Sequence, residues 1–337
     1  MAQMRAVLVK NGAGPLENLF LGETARPRPS AKEVLVKIKA FGLNRMDILQ
    51  RNGKYSIPPG ASSILGVEFS GHVAEVGSEV TSWKLNDEVF GLAAGGAYAE
   101  YIAVQQSHLI KKPPHLSWID AASIPENWLT AFQALVVIGK VKEGENVIVH
   151  AGASGVGLAA IQLARLYGAK TVVATASTKE KLDFVTNLPN GGKGATHAVN
   201  YKTQDFAEES KKLTGGKGID VIIDFVGQSH WDKNITSLAF DGRMTMLGLL
   251  SGAEVTKFNL SPLLYKRLHI EGSTLRSRSV EYQAKLISQF KDEILTAIVD
   301  GKLTTNIHKV YPWTDIQEAH REMENDKNIG KIIVEVV

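Results

Sequence analysis

The stretch that most narrows what this chain can become is Ala151-Gly152-Ala153-Ser154-Gly155-Val156-Gly157. It follows a run, Asn146–His150, that reads as a buried strand, and it precedes a helical pattern, Leu158–Tyr167, closed by Gly168 as a C-cap. Strand, glycine-rich turn and helix stand in the order a dinucleotide pyrophosphate needs. Gly152 makes the tight turn, Gly155 and the small Ser154 let backbone approach the phosphates, and Gly157 allows close helix–strand packing. The helix start adds free N–H groups for the anion. Gly152, Ser154, Gly155, Val156 and Gly157 are therefore the candidate cofactor contacts, with Ser154 replacing the middle glycine of the usual pattern. Val156 denies a G-x-S-x-G nucleophile elbow, and no Lys-Ser/Thr pair follows to complete a phosphate-binding P-loop.

The rest of the chain fits around that loop. Up to about residue 120 it reads as strands and turns, with runs such as Val34–Ile38 and Val89–Leu92 between Gly- and Pro-rich breaks. A helical stretch, Trp128–Ile138, follows. Strands are then expected at Thr171–Thr175, Val221–Phe225, Arg243–Met246 and His269–Ile270, with helices such as Lys179–Asn187 between them. Such alternation predicts an α/β fold, a doubly wound parallel sheet covered by helices on both faces. A helix, Tyr282–Val299, and a last strand, Ile332–Val336, are assigned back to the β-rich first domain.

Composition closes several other routes. The 337 residues suit two domains, and a net charge of +3 gives no electrostatic case for nucleic acid or an anionic membrane. With no cysteine, disulfides, thiolate nucleophiles, iron–sulfur clusters and sulfur-ligated zinc are excluded, so redox chemistry must use a bound cofactor. The opening residues lack a signal-peptide core, and no apolar run approaches a membrane span. A soluble, cytoplasmic protein is expected.

Past the second strand of the nucleotide fold, an NAD site would carry a carboxylate on the ribose. Here the residues are Ser177-Thr178-Lys179-Glu180-Lys181. Hydroxyls and an ammonium bind a 2′-phosphate that a carboxylate would repel, so Ser177, Thr178 and Lys181 favour NADPH. The plainer alternative is a helix N-cap at Ser177 or Thr178 beside a solvated lysine.

Asn44-Arg45-Met46-Asp47, Gly66-Val67-Glu68-Phe69-Ser70-Gly71-His72-Val73, Ile124-Pro125 with Thr130-Ala131, the glycine loop and Asn328-Ile329-Gly330-Lys331 together resemble the zinc-independent quinone oxidoreductases of the medium-chain dehydrogenase/reductase superfamily. The resemblance runs over essentially the whole chain. It implies a GroES-like catalytic domain from residues 1–124 and 273–337, a Rossmann domain from 125–272, an active site in the cleft where NADPH lies, and a homodimer. It also places Asn44, Val67 and Glu126 where zinc alcohol dehydrogenases carry Cys, His and Cys ligands. Valine cannot coordinate, and the nine histidines contain no H-x-x-x-H pair, so no metal is expected. The same pattern implies Ser177 or Thr178, Lys181 and Tyr201 at the 2′-phosphate, with the Tyr201 ring against adenine. For Tyr201 the plain alternative is a half-buried strand aromatic. The pattern also implies Asn44, Thr130, Asn328 and Lys331 near the cofactor.

Without a metal, hydride transfer needs an acceptor that is already electron-poor, and a quinone meets that need. Tyr55 matches a tyrosine of the family's substrate cleft and can donate to a quinone oxygen or stack on its ring; Asn44 can donate an amide hydrogen. A surface-loop tyrosine and a turn-forming asparagine are the plain alternatives. Tyr55, Asn44 and Thr130 are the candidate catalytic residues. Trp128 is expected in the core, with a place in the cleft wall as the alternative; Arg276 and Arg278 either reach the cofactor or cap the cleft or, as the commoner case, are solvated charges; and Glu68 is expected in a buried ion pair. An enone or alkenal reductase, and a non-catalytic NADPH-binding scaffold, remain as alternative readings.

Overall fold

The computed structural model describes residues 2–337. Strands β1 (Gln3–Val9) and β2 (Leu19–Ala25) form an antiparallel pair, and β3 (Glu33–Gly42) leads into helix α1 (Arg45–Arg51). Four further strands follow, β4 (Glu68–Val76), β5 (Glu88–Leu92), β6 (Tyr101–Gln105) and β7 (Leu109–Lys111), then helices α2 (Trp118–Ala122) and α3 (Pro125–Phe132). Alternation in β3 explains its central place: Val34, Val36 and Ile38 turn inward, while Lys37 and Lys39 face water.

The chain then runs β8 (Asn146–Val149), α4 (Gly155–Leu166), β9 (Thr171–Ala176), α5 (Lys179–Thr186), β10 (His197–Asn200), α6 (Phe206–Leu213), β11 (Ile219–Asp224), α7 (Trp231–Ser237), β12 (Leu238–Met246), α8 (Ser261–Tyr265) and β13 (His269–Gly272). These six strands make one parallel sheet in the order β10-β9-β8-β11-β12-β13. Every residue of β8, β9 and β11 is buried, which is the continuous apolar reading of parallel strands covered on both faces. The order reverses between β8 and β11, and the glycine loop lies at the carboxyl end of β8, at that switch point.

Helices α9 (Val280–Phe290) and α10 (Thr296–Val299), joined by a wide π-type turn, precede β14 (Ile307–Pro312), α11 (Ile316–Glu324) and β15 (Lys331–Glu335). The last two strands enter the first sheet, ordered β14-β15-β3-β4-β5-β7 with β6 on β3. The chain divides into two compact units: the segment ending at Glu126 with Leu275–Val299 and Thr305–Val337, and Asn127–Thr274 with Asp300–Thr304. The tail reading gave residues 300–304 to the first domain. They belong to the second because Thr304 donates through its N–H to Gln162 of α4 at 2.8 Å, and Gln162 returns a bond to the Thr304 carbonyl at 3.0 Å.

Candidate active site

In the second unit the glycine loop is held against β9, where the Gly152 N–H donates to the Thr175 carbonyl at 2.9 Å. A Cβ at Gly152 would lie 2.8 Å from that of Ala174, and one at Gly157 would lie 2.5 Å from the Ala151 carbonyl oxygen. Both glycines thus permit close approach of loop, strand and helix. Helix α4 starts three residues before the expected Leu158, because the loop itself supplies its first turn. Ser154 is the N-cap: its Oγ accepts from the Gly157 N–H at 3.0 Å. That accounts for serine in place of glycine. The N–H groups of Gly155 and Val156 fall in the first turn of α4, where the helix itself offers no carbonyl one turn back.

Beneath the loop, buried His150 ties the end of β8 to β9 and to α7. Its Nε2 donates to Asn234 Oδ1 at 2.7 Å, which leaves Nδ1 to accept from the Thr175 hydroxyl at 2.9 Å. Burial lowers its pKa to about 4, so the ring is neutral. His230 lies edge-on to it at 4.8 Å and to Tyr201 at 5.5 Å. Tyr201 is 41% exposed, and its N–H donates to the Ala176 carbonyl at 3.3 Å, which brings it beside Ser177 and Thr178. Thr178 caps α5 by accepting from the Lys181 N–H at 3.3 Å, as the plainer alternative had it. Ser177 and Lys181 are half-buried in the same turn. Thr130 lies in α3 at the edge of burial, and Trp128 is buried.

In the first unit a second cluster forms where α1, β4 and β15 meet. Glu68 is fully buried and ion-paired with buried Lys331. The Lys331 ammonium donates to Asn44 Oδ1 at 2.7 Å, and Asn44 Nδ2 donates to Glu68 Oε1 at 2.8 Å. The other Glu68 oxygen accepts the Glu126 N–H at 2.9 Å. Glu68 thus has the buried partner expected of it. Asn44 is neither a free donor nor a loose turn residue, since both ends of its amide are engaged. Asn328 bonds the Gly330 carbonyl at 2.9 Å and shapes the turn into β15.

Asp47 fixes the backbone at Asn44. Its Oδ2 accepts the Asn44 N–H at 2.8 Å and the Tyr98 hydroxyl at 3.2 Å, and its Oδ1 accepts the Gly66 N–H. Burial raises its pKa to about 6 against these bonds and the Lys331 charge. Tyr98 also meets His320 Nε2 at 3.1 Å, and His320 Nδ1 meets Arg51 Nη1 at 3.2 Å. Arginine can only donate, so Nδ1 accepts and Nε2 carries the proton. The chain of donors from Arg51 through His320 and Tyr98 ends on Asp47.

Zinc does not fit this place. Asn44 is committed to Glu68 and Lys331, Val67 is buried and has no donor atom, and the buried ammonium of Lys331 already balances Glu68. The loop, by contrast, fits a pyrophosphate on the N-terminus of α4.

Of the two readings for Arg276, the solvated one does not hold. The residue is 3% exposed, with Nε donating to the Ala94 carbonyl and Nη1 to Gln50 Oε1, each at 2.7 Å. Both partners lie far back in the chain, so only the fold reveals the burial. Arg278 is half-buried over the Tyr282 ring at 4.6 Å.

Residues 155–292 match the family model described as zinc-binding dehydrogenase, and 30–114 match the alcohol dehydrogenase GroES-like domain. A human quinone oxidoreductase is 32% identical over 98% of this chain and 97% of its own length. Among solved structures, mycobacterial Rv1454c complexed with NADPH superposes with a TM-score of 0.87 at 30% identity, covering 99% of this chain and all of that one. The CurK enoyl reductase gives 0.84 at 31%, covering 99% of each. The chain belongs to the medium-chain dehydrogenase/reductase superfamily, among relatives of the quinone oxidoreductases, with a GroES-like unit and a Rossmann unit. It is an oxidoreductase of the nicotinamide-dependent kind. Among the described residues no helix is long and apolar enough to cross a membrane.

Proposed function

We propose that this protein reduces quinones with NADPH, without a metal, as a cytoplasmic homodimer. The observation that supports the metal-free reading is the Asn44–Glu68–Lys331 cluster: of the positions that the resemblance matches to zinc ligands, Asn44 has both ends of its amide engaged by Glu68 and Lys331, and Val67 has no donor atom. A carbonyl substrate without a Lewis acid must be electron-poor in itself, and a quinone is, because its reduction product is aromatic. NADPH would supply the hydride. Gly155 and Val156 would hold its pyrophosphate, with Ser154 ordering that turn. Ser177, Lys181 and Tyr201 would hold the 2′-phosphate and adenine, with Thr178 shaping their turn as helix cap. Tyr55 would contact the acceptor, while Asn44, Thr130, Asn328 and Lys331 would line the nicotinamide side.

Two measurements test this. Steady-state oxidation of NADPH and NADH with naphthoquinones and with enones should show quinone turnover and preference for NADPH. Turnover of enones alone would favour the double-bond reductase reading, which the likeness to CurK supports. Binding without turnover of either would leave a scaffold. A Lys181→Glu variant should lose affinity for NADPH about ten- to a hundredfold while keeping NADH binding; unchanged NADPH affinity would remove the 2′-phosphate assignment.

A further inference from the structure

Arg276 is a buried cation without a counter-ion. Nε and Nη1 are engaged with Ala94 and Gln50, but Nη2 is buried with no acceptor, 3.3 Å from where a Cβ on Gly95 would stand. Among the described residues it forms no ion pair; Asp47, Tyr55 and Glu126 act on it only through space. A guanidinium stays charged at neutral pH even when buried, so its desolvation cannot be relieved by losing a proton. Gln50, the group that holds it, is anchored through its amide to the Ser63 carbonyl at 3.2 Å. The guanidinium is thus rigidly placed, and what covers it is Tyr55, half-buried, whose ring centre lies 5.5 Å from the guanidinium carbon. Burial raises the Tyr55 pKa and Arg276 pulls it back, so at neutral pH the phenol is a donor beside a positive charge.

We propose that Tyr55 and Arg276 form an oxyanion subsite for the acceptor: Tyr55 touches the oxygen, and Arg276 positions the phenol and balances the charge from beneath. The inference rests on the reductase reading and deepens it. In the proposed reaction NADPH would be the reductant, giving up a hydride by breaking its nicotinamide C–H bond and so being oxidised by two electrons; addition of that hydride to a carbonyl-conjugated acceptor makes one new bond to hydrogen and drives the π pair onto the carbonyl oxygen. The Tyr55 O–H donates a hydrogen bond to that oxygen without losing its proton, and water then supplies the proton that completes the product. The buried positive charge gains its missing partner only as the oxygen becomes negative, so stabilisation grows along the reaction.

Binding to the cofactor-free protein tests this without turnover. The probes are lawsone, a hydroxynaphthoquinone ionised at neutral pH, the neutral parent naphthoquinone, and nitrophenolate, followed by quenching of tryptophan fluorescence. The protein should bind lawsone about tenfold tighter than the neutral quinone. Arg276→Met should erase that preference, and Arg276→Lys should restore part of it. Alkaline ultraviolet titration, differenced against Tyr55→Phe partners, should show the Tyr55 phenol ionising at higher pH in Arg276→Met, which a purely structural arginine would not cause. No anion preference in the parent, or one surviving in Arg276→Met, overturns the proposal, as does an unmoved phenol titration. If Arg276→Met does not fold, Arg276→Gln takes its place. Arg276-dependent binding of nitrophenolate with no binding of either quinone would keep the subsite and remove the quinone reading.

Discussion

At the scale of single residues, Glu68 shows how much of the site is electrostatic architecture. Its carboxylate is fully buried and holds Lys331, Asn44 and the Glu126 N–H together. Removing one charge of a buried pair leaves the other stranded, so Glu68→Gln should lower unfolding free energy by about 3–5 kcal/mol in urea titration. A Glu68→Leu, Lys331→Met double variant should recover much of that, and a single-variant loss within about 1 kcal/mol would show the pair to be better solvated than its burial implies. The residue scale is also where sequence reading reaches its limit. Gly152, Ser154 and Gly157 were legible because their work is local, within one strand, turn and helix. Glu68 was legible in kind, since a carboxylate inside an apolar run needs a partner, but Lys331 as that partner lies too far along the chain to be read. The burial of Arg276 was not legible, because arginines six and eight positions past the expected strand His269–Ile270 look like solvent-facing charge until Gln50 and Ala94 are folded onto them.

At the scale of elements, the parallel sheet was readable from alternating apolar runs and helical patterns, while element ends were set by capping chemistry that patterns of burial do not carry. The start of α4 is the case in point: hydrophobic periodicity begins at Leu158, but the cap is Ser154. The helix expected at Tyr282–Val299 is one helical path broken by the π-type turn between α9 and α10. Strand β13 supports the proposed dimer. It ends the six-strand sheet, pairs among the described residues only with β12, and is largely exposed. An open strand edge invites pairing, and the residues leading into it include Leu260, Leu264 and Tyr265, at 66%, 72% and 72% exposure. Light scattering should therefore give the mass of two chains, and Leu264→Asp with Tyr265→Asp should give one chain that still melts cooperatively. A parent protein already monomeric at working concentration would exclude the pairing.

At the scale of the whole molecule, the buried titratable groups set a pH dependence whose sign can be worked out. Burial depresses five imidazoles, His72, His108, His150, His230 and His320, with His150 and His230 at about 4 and His320 at about 3. Below their ordinary value of 6.5 the unfolded chain binds protons that the folded chain refuses, so stability falls as the pH drops from there toward 4. Two buried carboxyls act the other way. Asp47, raised to about 6, and Asp224, also raised by burial, are more readily protonated in the folded state, so they favour folding as the pH falls through the same range. Within the donor chain that ends on Asp47, His320 and Asp47 oppose each other directly, and the fully buried His150 with its neighbour His230 is opposed in its own unit by Asp224. Five depressed imidazoles against two raised carboxyls leave a net loss toward acid, on the order of a few kcal/mol. The urea midpoint should therefore decline steadily from about pH 6.5 to about pH 4.5, and Asp47→Asn should steepen that decline by removing one of the opposing groups. A midpoint that holds or rises on acidification would mean that the imidazoles are hydrated in the folded protein, and the neutral His150 tautomer inferred beneath the glycine loop would fall with it.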